Sequence, residues 1–253
     1  MPTYPCQINY GAPANLLENR VILSTGAGAV IGRSAALAFA KHGATVVLLG
    51  RTISKLEAVY DEIEAAGYPQ AAIYPLDLEG AKWADYVNLA DTLYSNFGRL
   101  DGVLHNASLL GKMTPIQGYN PQLWQKVMQV NFNAAVMLQQ AVMAMLLEAE
   151  DASVIFTSSS VGRKGRAYWG AYAASKFATE GLVETLAEEV ENISKLRVNS
   201  LNPGATRTQM RANAYPSENP ASLRAPEEIM GTYLYLMGQD SQGITGQKFN
   251  AQP

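Results

Sequence analysis

The feature of this sequence that most constrains its fold is a regular alternation between short apolar runs and longer stretches with helical patterning. The apolar runs are continuous, which is typical of strands buried on both faces of a parallel sheet. A chain that alternates in this way returns over the sheet with each helix, so helices cover both faces. The sequence therefore predicts an α/β fold with a doubly wound parallel sheet of about seven strands. The predicted strands are 20–24, 44–49, 71–75, 102–105, 153–157 and 197–201, and the predicted helices are 33–42, 53–66, 81–97, 121–147 and 168–192.

Composition and charge narrow the class of protein. The chain has 253 residues, 48% hydrophobic and 16% charged, and we expect one domain over 1–253 with 1–15 as an N-terminal extension. The 19 basic and 22 acidic residues give a net charge of -3, which indicates neither nucleic acid nor an anionic membrane surface as a partner. One cysteine, Cys6, excludes an internal disulfide, and the N-terminus lacks the features of a signal peptide. We therefore expect a cytoplasmic protein with a mobile N-terminus.

One stretch, 127–147, carries no charge and imitates a membrane span. Its many amide side chains favour a buried or interfacial helix of a soluble protein instead. These amides are Gln129, Asn131, Asn133, Gln139 and Gln140.

A glycine-rich turn at 24–33 joins the first predicted strand to the first predicted helix. Gly26, Gly28 and Gly32 let the backbone turn tightly and approach a pyrophosphate, whose charge is held by amides at the helix N-terminus. A merely flexible turn is the alternative. The position between strand and helix favours dinucleotide binding, and with it a single-domain Rossmann fold.

A tyrosine and a lysine supply a candidate proton carrier. If 168–192 is helical, Tyr172 and Lys176 lie one turn apart on the same face. A neighbouring ammonium favours the phenolate and would lower the tyrosine pKa from about 10 towards neutrality. The same spacing is also common in surface or packing pairs. Ser159 lies just beyond the strand 153–157, where parallel sheets handle ligands, and this favours a catalytic interpretation.

These motifs resemble the short-chain dehydrogenase/reductase family, whose loop pattern is Thr-Gly-x-x-x-Gly-x-Gly. Thr25, Gly26 and Gly32 match the pattern, whereas Val30 replaces its middle glycine. A branched side chain there would crowd the pyrophosphate or shift its pose. Our hypothesis is that Gly28 compensates by moving the flexible point two residues earlier. More narrowly, the C-terminal half is similar to the YciK-like oxidoreductases of Gram-negative bacteria.

Two further segments carry the resemblance. Asp77, after the third strand, matches the acid that contacts adenine in the family, although a helix-capping Asp is an equal alternative. Asn106 and Ala107 match the core of the family motif Asn-Asn-Ala-Gly, with His105 and Ser108 in place of its outer residues. We expect Asn106 still to bond neighbouring backbone.

The segment 202–208 matches the family segment Pro-Gly-x-x-x-Thr, which faces the nicotinamide. The resemblance implies that the Thr206 backbone and the Thr208 hydroxyl bond the carboxamide. The implied cofactor-binding residues are Gly26, Gly28, Ile31, Gly32, Arg33, Arg51, Asp77, Leu78, Asn106, Ala107, Lys176, Pro203, Gly204, Thr206 and Thr208.

The resemblance implies hydride transfer between a nicotinamide and a carbonyl or alcohol carbon. Tyr172 is then the general acid or base, and Ser159, thirteen residues earlier, holds and polarises the substrate oxygen. Lys176 would lower the pKa of Tyr172 and bond the nicotinamide ribose. The Asn131 backbone would hold a water molecule that relays protons to the site. The alternative is that Asn131 is simply a buried amide of a helix.

The end of the second strand favours NADP(H) over NAD(H). An NAD site needs a carboxylate there for the ribose 2′-hydroxyl, and the sequence has no acid before Glu57. Arg51 can instead bond a 2′-phosphate, assisted by Arg33 or Thr52. No metal is expected, because the two histidines of the chain lack ligand spacing and favour structural roles.

The sequence does not define the small-molecule substrate. The cations Arg163, Lys164 and Arg166 either attract an anionic substrate or belong to a solvated loop, which the sequence favours. Residues 208–225 are predicted to form a lid that shapes the pocket and excludes water.

Activity and assembly follow from the resemblance. We predict an enzyme, and the alternative is a catalytically silent dinucleotide-binding regulator or scaffold, which the substitution at Val30 keeps open. Family members commonly pair through helices equivalent to 121–147 and 168–192, so we expect a homodimer or homotetramer.

Overall fold

Seven parallel strands form one sheet in the order β3-β2-β1-β4-β5-β6-β7 in the computed structural model, which describes residues 4–253. The strands are β1 (Val21–Thr25), β2 (Thr45–Gly50), β3 (Ala72–Pro75), β4 (Gly102–His105), β5 (Ser153–Thr157), β6 (Arg197–Asn202) and β7 (Lys248–Asn250). The predicted doubly wound parallel sheet is confirmed, and each of the six located strands was placed to within one residue at either end. β7 is too short to stand out as an apolar run.

Helices pack on both faces of this sheet. The helices of the chain are α1 (Val30–Lys41), α2 (Ile53–Ala65), α3 (Trp83–Phe97), α4 (Pro121–Met128), α5 (Ala134–Glu148), α6 (Gly170–Val190), α7 (Gln209–Ala214) and α8 (Met230–Met237), and all of them except α4 and α7 contribute to the two cores on the faces of the sheet. Ile22 of β1 faces a core shared with α1, α2 and α8, whereas the next residue, Leu23, faces a core shared with α3, α5 and α6. Successive strand side chains point to opposite faces, so one apolar run serves two cores.

The strand order reverses between β1 and β4. From β1 the chain moves outward to β3 on one side, and from β4 it moves outward to β7 on the other. The connections after β1 and β4 therefore diverge and leave a crevice at the carboxyl ends of these strands. This is the place where open α/β sheets bind ligands.

The N-terminal segment packs onto the fold. Tyr4 forms a parallel bridge with Phe249 of β7, and their rings lie 5.0 Å apart. The carbonyl oxygen of Ile8 approaches Gly231 of α8 so closely that a Cβ there would lie 2.3 Å from it. Docking of residues 4–15 replaces the mobile terminus that the sequence predicts, and the first three residues of the predicted extension lie outside the described part of the chain.

The long apolar helix predicted at 121–147 consists of α4 and α5 joined by a π-helical turn at Gln129–Asn133. By length and composition, Pro121–Glu148 is long and apolar enough to cross a membrane. Of the 18-residue apolar stretch within it, 39% is buried inside the protein. α4 packs against α6 and α5 against α3. The amide of Gln139 is buried and lies 3.0 Å from His105 Nε2, so it joins α5 to β4.

Candidate active site

A cleft of about 430 Å³ opens at the carboxyl ends of the strands, where the strand order reverses. Most residues that the sequence predicts for the site line this cleft: Gly26, Gly28, Ile31, Arg51, Asp77, Leu78, Asn106, Ala107, Ser159, Tyr172, Lys176, Pro203, Gly204, Thr206 and Thr208. Gly32, Arg33 and Asn131 lie outside its wall. Residues from six separate connections are thus brought to one place, as a site at a topological switch point requires.

The glycine-rich turn has left-handed backbone at Gly26 and Val30, with φ of 67° and 48°. Val30 is therefore a β-branched residue in a region that strongly favours glycine. Gly28 has no positive φ, and a Cβ there would lie 2.9 Å from the Cβ of Lys55. The hypothesis that Gly28 supplies the flexible point is wrong: this glycine lets the turn pack against α2.

Gly32 does not line the cleft; it allows the turn to close tightly against α1. A Cβ on Gly32 would lie 2.1 Å from the carbonyl oxygen of Gly26, so α1 closes over the turn only with glycine at this position. Thr25 Oγ1 accepts hydrogen bonds from the backbone N–H groups of Asn106 at 2.9 Å and Ala107 at 3.1 Å. The loops after β1 and β4 are thereby fixed to each other across the crevice.

Asp77 and Leu78 lie at the edge of the cleft after β3. Asp77 Oδ1 accepts a hydrogen bond from the Glu79 N–H at 3.1 Å within a turn. The helix-capping alternative is wrong, because the next helix begins at Trp83 with Lys82 as its N-cap. The Leu78 carbonyl accepts a bond from Gln129 Nε2 at 3.3 Å. The adenine contact implied for Asp77 stays a prediction.

Tyr172 is buried in the wall of the cleft, one turn before Lys176 on α6. Burial raises the pKa of Tyr172 to about 12, while the facing hydroxyls of Ser159 and Ser108 act in the opposite direction. Tyr172 is therefore protonated at neutral pH and can donate a proton. The structure does not show the predicted lowering of this pKa by Lys176, because burial outweighs the groups that face the phenol.

Lys176 is buried close to the Tyr172 ring. Its Nζ donates a hydrogen bond to the Thr157 carbonyl at 2.7 Å and lies 5.5 Å from the centre of the Tyr172 ring. Burial lowers the pKa of Lys176 to about 8, and the Glu180 carboxylate opposes this change. The cationic form still predominates at neutral pH, so Lys176 brings a fixed positive charge to the cleft.

Asn131 lies in the π-helical turn and is buried. Its Oδ1 accepts from the Leu109 N–H at 2.7 Å, and its Nδ2 donates to the Leu109 carbonyl at 2.9 Å and to Ser175 Oγ at 3.1 Å. The side chain therefore fixes the loop after β4 to α6. The relay role implied by the resemblance uses the Asn131 backbone and stays a prediction.

A buried carboxylate, Glu180, lies on α6 one turn beyond Lys176. Its oxygens accept hydrogen bonds from Ser158 Oγ at 2.5 Å and Ser200 Oγ at 2.8 Å, and from Arg163 Nε at 3.0 Å. The Arg163 guanidinium also reaches β7. Glu180 thus joins β5, β6, α6 and β7 beneath the cleft. Glu180 was not among the residues predicted for the site, although its i, i+4 spacing from Lys176 places it on the same helix face.

The three cations of the loop after β5 differ in their roles. Arg163 is bound to Glu180, so neither substrate attraction nor simple solvation describes it. Lys164 is exposed. Arg166 is exposed as well, and its Nη1 donates to Tyr215 Oη at 3.1 Å.

Two cations border the cleft at the end of β2. Arg51 and Lys55 both line it, and neither forms a salt bridge with any residue in 4–253. Either Arg33 or Thr52 was predicted to assist Arg51; Thr52 lines the cleft, whereas Arg33 pairs bidentately with Glu62, with Nε 3.0 Å from Oε1. The prediction for Arg33 is corrected accordingly. Lys55 was missed, although it follows Arg51 at the spacing of one helical turn.

The segment after β6, which the resemblance assigns to the nicotinamide, is anchored by Gln252 near the C-terminus. Gln252 Nε2 donates to the Pro203 carbonyl at 2.7 Å and to Thr206 Oγ1 at 3.2 Å. Thr208 Oγ1 caps α7 by accepting the Arg211 N–H at 3.0 Å. This use of the Thr208 oxygen leaves its hydroxyl proton free to donate.

The wall of the cleft beyond Tyr172 is apolar. Trp169, Leu110 and Met210 pack in one cluster with the buried Val161 and Tyr172, and the Trp169 and Tyr172 ring centres lie 5.7 Å apart. All of these except Val161 line the cleft. A substrate at Tyr172 therefore contacts aromatic and aliphatic surface.

The predicted lid contains α7 and is closed at its base. The Arg207 N–H donates to the Arg224 carbonyl at 2.8 Å, so the two ends of the lid meet. Within it, Arg211 Nε lies 2.6 Å from Glu218 Oε2, and the guanidinium stacks 3.8 Å from the Tyr215 ring. The Arg211 charge is thus neutralised inside the lid. Movement of this segment stays a prediction.

The two histidines, His105 and His42, make contacts within the fold. Burial lowers the pKa of His105 to about 4, and its ring stacks on Phe156 with centres 4.3 Å apart. His42 Nδ1 lies 2.8 Å from the Ala38 carbonyl. Within residues 4–253, no group of three or more His, Cys, Asp or Glu side chains is arranged to hold a metal ion.

Comparison with known proteins establishes the family. Residues 20–219 match the profile of the short chain dehydrogenases. The chain belongs to this family and is an oxidoreductase of the Rossmann type.

Three relatives define its place more closely. The chain is 52% identical over 246 residues to the oxidoreductase YciK of Escherichia coli (strain K12), covering 97% of each chain. It is 30% identical over 241 residues to cyclohexanol dehydrogenase of Acinetobacter sp. (strain SE19), covering 93% of this chain and 94% of that one. A short chain dehydrogenase from Shigella flexneri 2a str. 301, crystallised in complex with NADP, matches with a TM-score of 0.93 and 52% identity, covering 95% and 100% of the two chains. The resemblance to the YciK-like oxidoreductases is confirmed.

Proposed function

We propose that this protein is an NADP(H)-dependent dehydrogenase or reductase that acts on the CH–OH or C=O group of a small molecule. The observation that carries the proposal is the Tyr172 phenol in the wall of the cleft, together with Ser159 and with Lys176, whose Nζ lies 5.5 Å from the ring centre. A bound nicotinamide supplies or accepts the hydride. Tyr172 donates its proton to the carbonyl oxygen in reduction and removes it in oxidation. Ser159 donates a hydrogen bond to that oxygen as charge develops on it.

Replacement of the phenol tests this role. Tyr172→Phe is expected to lower turnover by roughly 10²–10⁴-fold, because a positioned general acid contributes about that factor. NADPH affinity should be unchanged. Turnover is followed by NADPH fluorescence with a panel of cyclic, aliphatic and aromatic secondary alcohols and ketones. Tyr168→Phe, which removes a hydroxyl from an exposed tyrosine, is the matched control. Full turnover in Tyr172→Phe would exclude the proposed mechanism.

The residues at the end of β2 fit NADP(H) rather than NAD(H). Arg51 and Lys55 present two unpaired cations to the cleft, with no carboxylate between them, as a 2′-phosphate requires. NADP in the relative from Shigella flexneri supports the same choice. On binding, these two side chains would hold the 2′-phosphate, while the turn at Gly26 and the N-terminus of α1 would hold the pyrophosphate.

A titration of both cofactors tests this preference. Arg51→Ala should weaken NADPH binding by roughly tenfold or more, because charge-assisted hydrogen bonds are lost, and should leave NADH binding unchanged. Arg33→Ala is the control, since Arg33 is paired with Glu62 away from the cleft. Tighter binding of NADH than NADPH by the unaltered protein would contradict the proposal.

The apolar wall around Trp169 and Met210 favours an uncharged, predominantly apolar alcohol or ketone. The cation of the lid, Arg211, is already paired with Glu218 and offers little to an anionic substrate. Cyclohexanol is therefore a suitable first probe, with a small keto acid as the charged comparison. Preferential turnover of the keto acid would contradict this substrate class.

A regulator or scaffold without turnover is the second candidate, and the strained backbone at Val30 in the pyrophosphate turn favours it. Calorimetry with NADPH followed by the substrate panel separates the two: binding with no turnover across the panel supports the regulator. The complete set of Ser159, Tyr172 and Lys176 in one cleft supports the enzyme.

We also propose that the protein acts in the cytoplasm as a homodimer or homotetramer, with no membrane or nucleic-acid partner. The net charge of -3 supports the absence of such partners. Exposed parts of α4, α5 and α6 are the surfaces expected to pair. Light scattering that shows only a monomer at micromolar concentration would contradict the assembly.

A further inference from the structure

Ser108 stands beside the catalytic tyrosine at a position where the family motif has glycine. It directly follows Asn106 and Ala107, and it lines the same cleft as Tyr172 and Ser159. Glycine offers no side chain at this place. The hydroxyl of Ser108 is therefore an addition to the catalytic wall that the family motif does not supply.

The backbone on both sides of Ser108 is fixed. Thr25 Oγ1 accepts the N–H of Ala107 at 3.1 Å, and Asn131 accepts the Leu109 N–H at 2.7 Å and donates to the Leu109 carbonyl at 2.9 Å. These bonds join the loop to β1 on one side and to the π-helical turn on the other. The Ser108 side chain is thus placed by a rigid support, as a group that acts on a reacting atom needs to be.

The Ser108 hydroxyl is buried without a partner. Its Oγ is shielded from solvent and forms no regular hydrogen bond among residues 4–253, although it faces the Tyr172 phenol. A buried hydroxyl that makes no hydrogen bond is unfavourable, and such groups are uncommon in folded proteins. A group that becomes charged next to it would satisfy it.

The phenol of Tyr172 lies in the same cleft wall and can become such a group. Ser108 and Ser159 both face this phenol and act to lower its pKa against the effect of burial. The charged groups around it are Lys176, 5.5 Å from the ring centre, and Arg211 of the lid, which lines the same cleft. Neither is altered by a change at position 108.

We infer that the Ser108 hydroxyl donates a hydrogen bond to the Tyr172 oxygen when that oxygen is ionised, so that two serines rather than one stabilise the phenolate. The bond forms as the Tyr172 proton passes to the substrate oxygen in reduction, and it is lost when the proton returns. A hydrogen bond to a charged acceptor is stronger than one to a neutral phenol, so the gain falls on the ionised form. The inference rests on the proposed role of Tyr172.

A spectroscopic titration tests it without a known substrate. The phenolate absorbance of the NADP⁺-loaded protein is followed against pH, and the Tyr172→Phe spectrum is subtracted to isolate Tyr172. In Ser108→Ala, with Tyr172→Phe on the same background as its reference, the pKa of Tyr172 should rise by about 1 unit. Ser108→Thr retains the hydroxyl and should restore the original pKa. Circular dichroism at each pH confirms that the protein remains folded.

Ser160→Ala removes an exposed serine next to Ser159 and should leave the titration unchanged. If Ser108→Ala does not fold, Ser108→Gly provides the same test with the residue of the family motif. An unchanged or lower pKa in a folded Ser108 variant would overturn the inference while leaving the proposed function intact. Turnover that survives Tyr172→Phe would instead remove the proposed function itself.

Discussion

Val30 has the least favourable backbone conformation of the site, because its β-branched side chain stands at a φ of 48° in the first turn of α1. A non-glycine residue in the left-handed region costs about 1–2 kcal/mol, whereas glycine loses about 0.5–1 kcal/mol through the entropy of the unfolded chain. Val30→Gly should therefore raise the free energy of unfolding by about 0.5–1 kcal/mol. Urea unfolding measures the change.

Val30→Ala distinguishes the effect of backbone strain at this position from the effect of side-chain volume. Alanine keeps the Cβ that makes the left-handed region unfavourable, so it should gain less stability than glycine does. Equal stability of Val30→Gly and the unaltered protein would show that the surrounding turn relieves the strain. The same variants can be titrated with NADPH, because Val30 lines the cleft and is 38% exposed.

Residue spacing, together with the resemblance to the short-chain dehydrogenase/reductase family, identified the main catalytic candidates. Ser159, Tyr172 and Lys176 were found because their spacing on a strand end and a helix is local information. The role of Arg33 could not be found in this way. Its pairing with Glu62 joins α1 to α2, and such a contact depends on how two helices pack.

At the scale of secondary-structure elements, Arg163 joins the loop after β5 to α6 and β7 through the buried Glu180. Arg163→Ala leaves this carboxylate buried with only two serine donors. Breaking a buried ion pair from one side costs about 3–5 kcal/mol, so we expect a loss of unfolding free energy near the lower end of that range. Chemical denaturation measures the loss.

The control for this prediction is Lys164→Ala, a neighbouring cation that is exposed. Its effect on unfolding should stay within about 0.5 kcal/mol, as is usual for surface positions. An equally small effect of Arg163→Ala would show that Ser158 and Ser200 alone satisfy the carboxylate.

The elements themselves were mostly predictable, with two informative exceptions. β7 was not predicted, because its three residues contain no apolar run. It is a strand because it pairs with β6 at the edge of the sheet. The π-helical turn at Gln129–Asn133 was not predicted, because the sequence has helical character on both sides of it. Within this turn Asn131 accepts a hydrogen bond from Leu109 in the loop after β4, a contact between residues distant in sequence.

At the scale of the whole molecule, the stability of this fold should depend on pH through His105. Burial holds the pKa of His105 at about 4, below its ordinary value of 6.5. Below pH 6.5 the unfolded chain binds a proton that the folded protein does not, so the unfolding free energy falls as the pH is lowered and levels off below about 4. The interval from 6.5 to about 4, at about 1.4 kcal/mol per pH unit, limits this loss to about 3 kcal/mol.

A comparison with His105→Asn isolates this contribution. The difference in unfolding free energy between the unaltered protein and this variant should change between pH 6.5 and 4 and be constant above. The control His42→Asn keeps His105 and should keep the slope. A difference that is independent of pH would show that His105 becomes charged in the folded protein.

The sequence alone determined the sheet, and it located the glycine-rich turn and the candidate residues Ser159, Tyr172 and Lys176, because each depends on local periodicity or spacing that the fold preserves. Tertiary structure decided which side chains share a cleft. It assigned Lys55 to the cofactor end, Arg33 to an ion pair, Glu180 to the support of α6, and the hydroxyl of Ser108 to the wall beside Tyr172. The physical reason is that burial, ion pairing and shared lining of a cleft arise from contacts between segments that are distant in sequence. The sequence of a single segment does not specify these contacts.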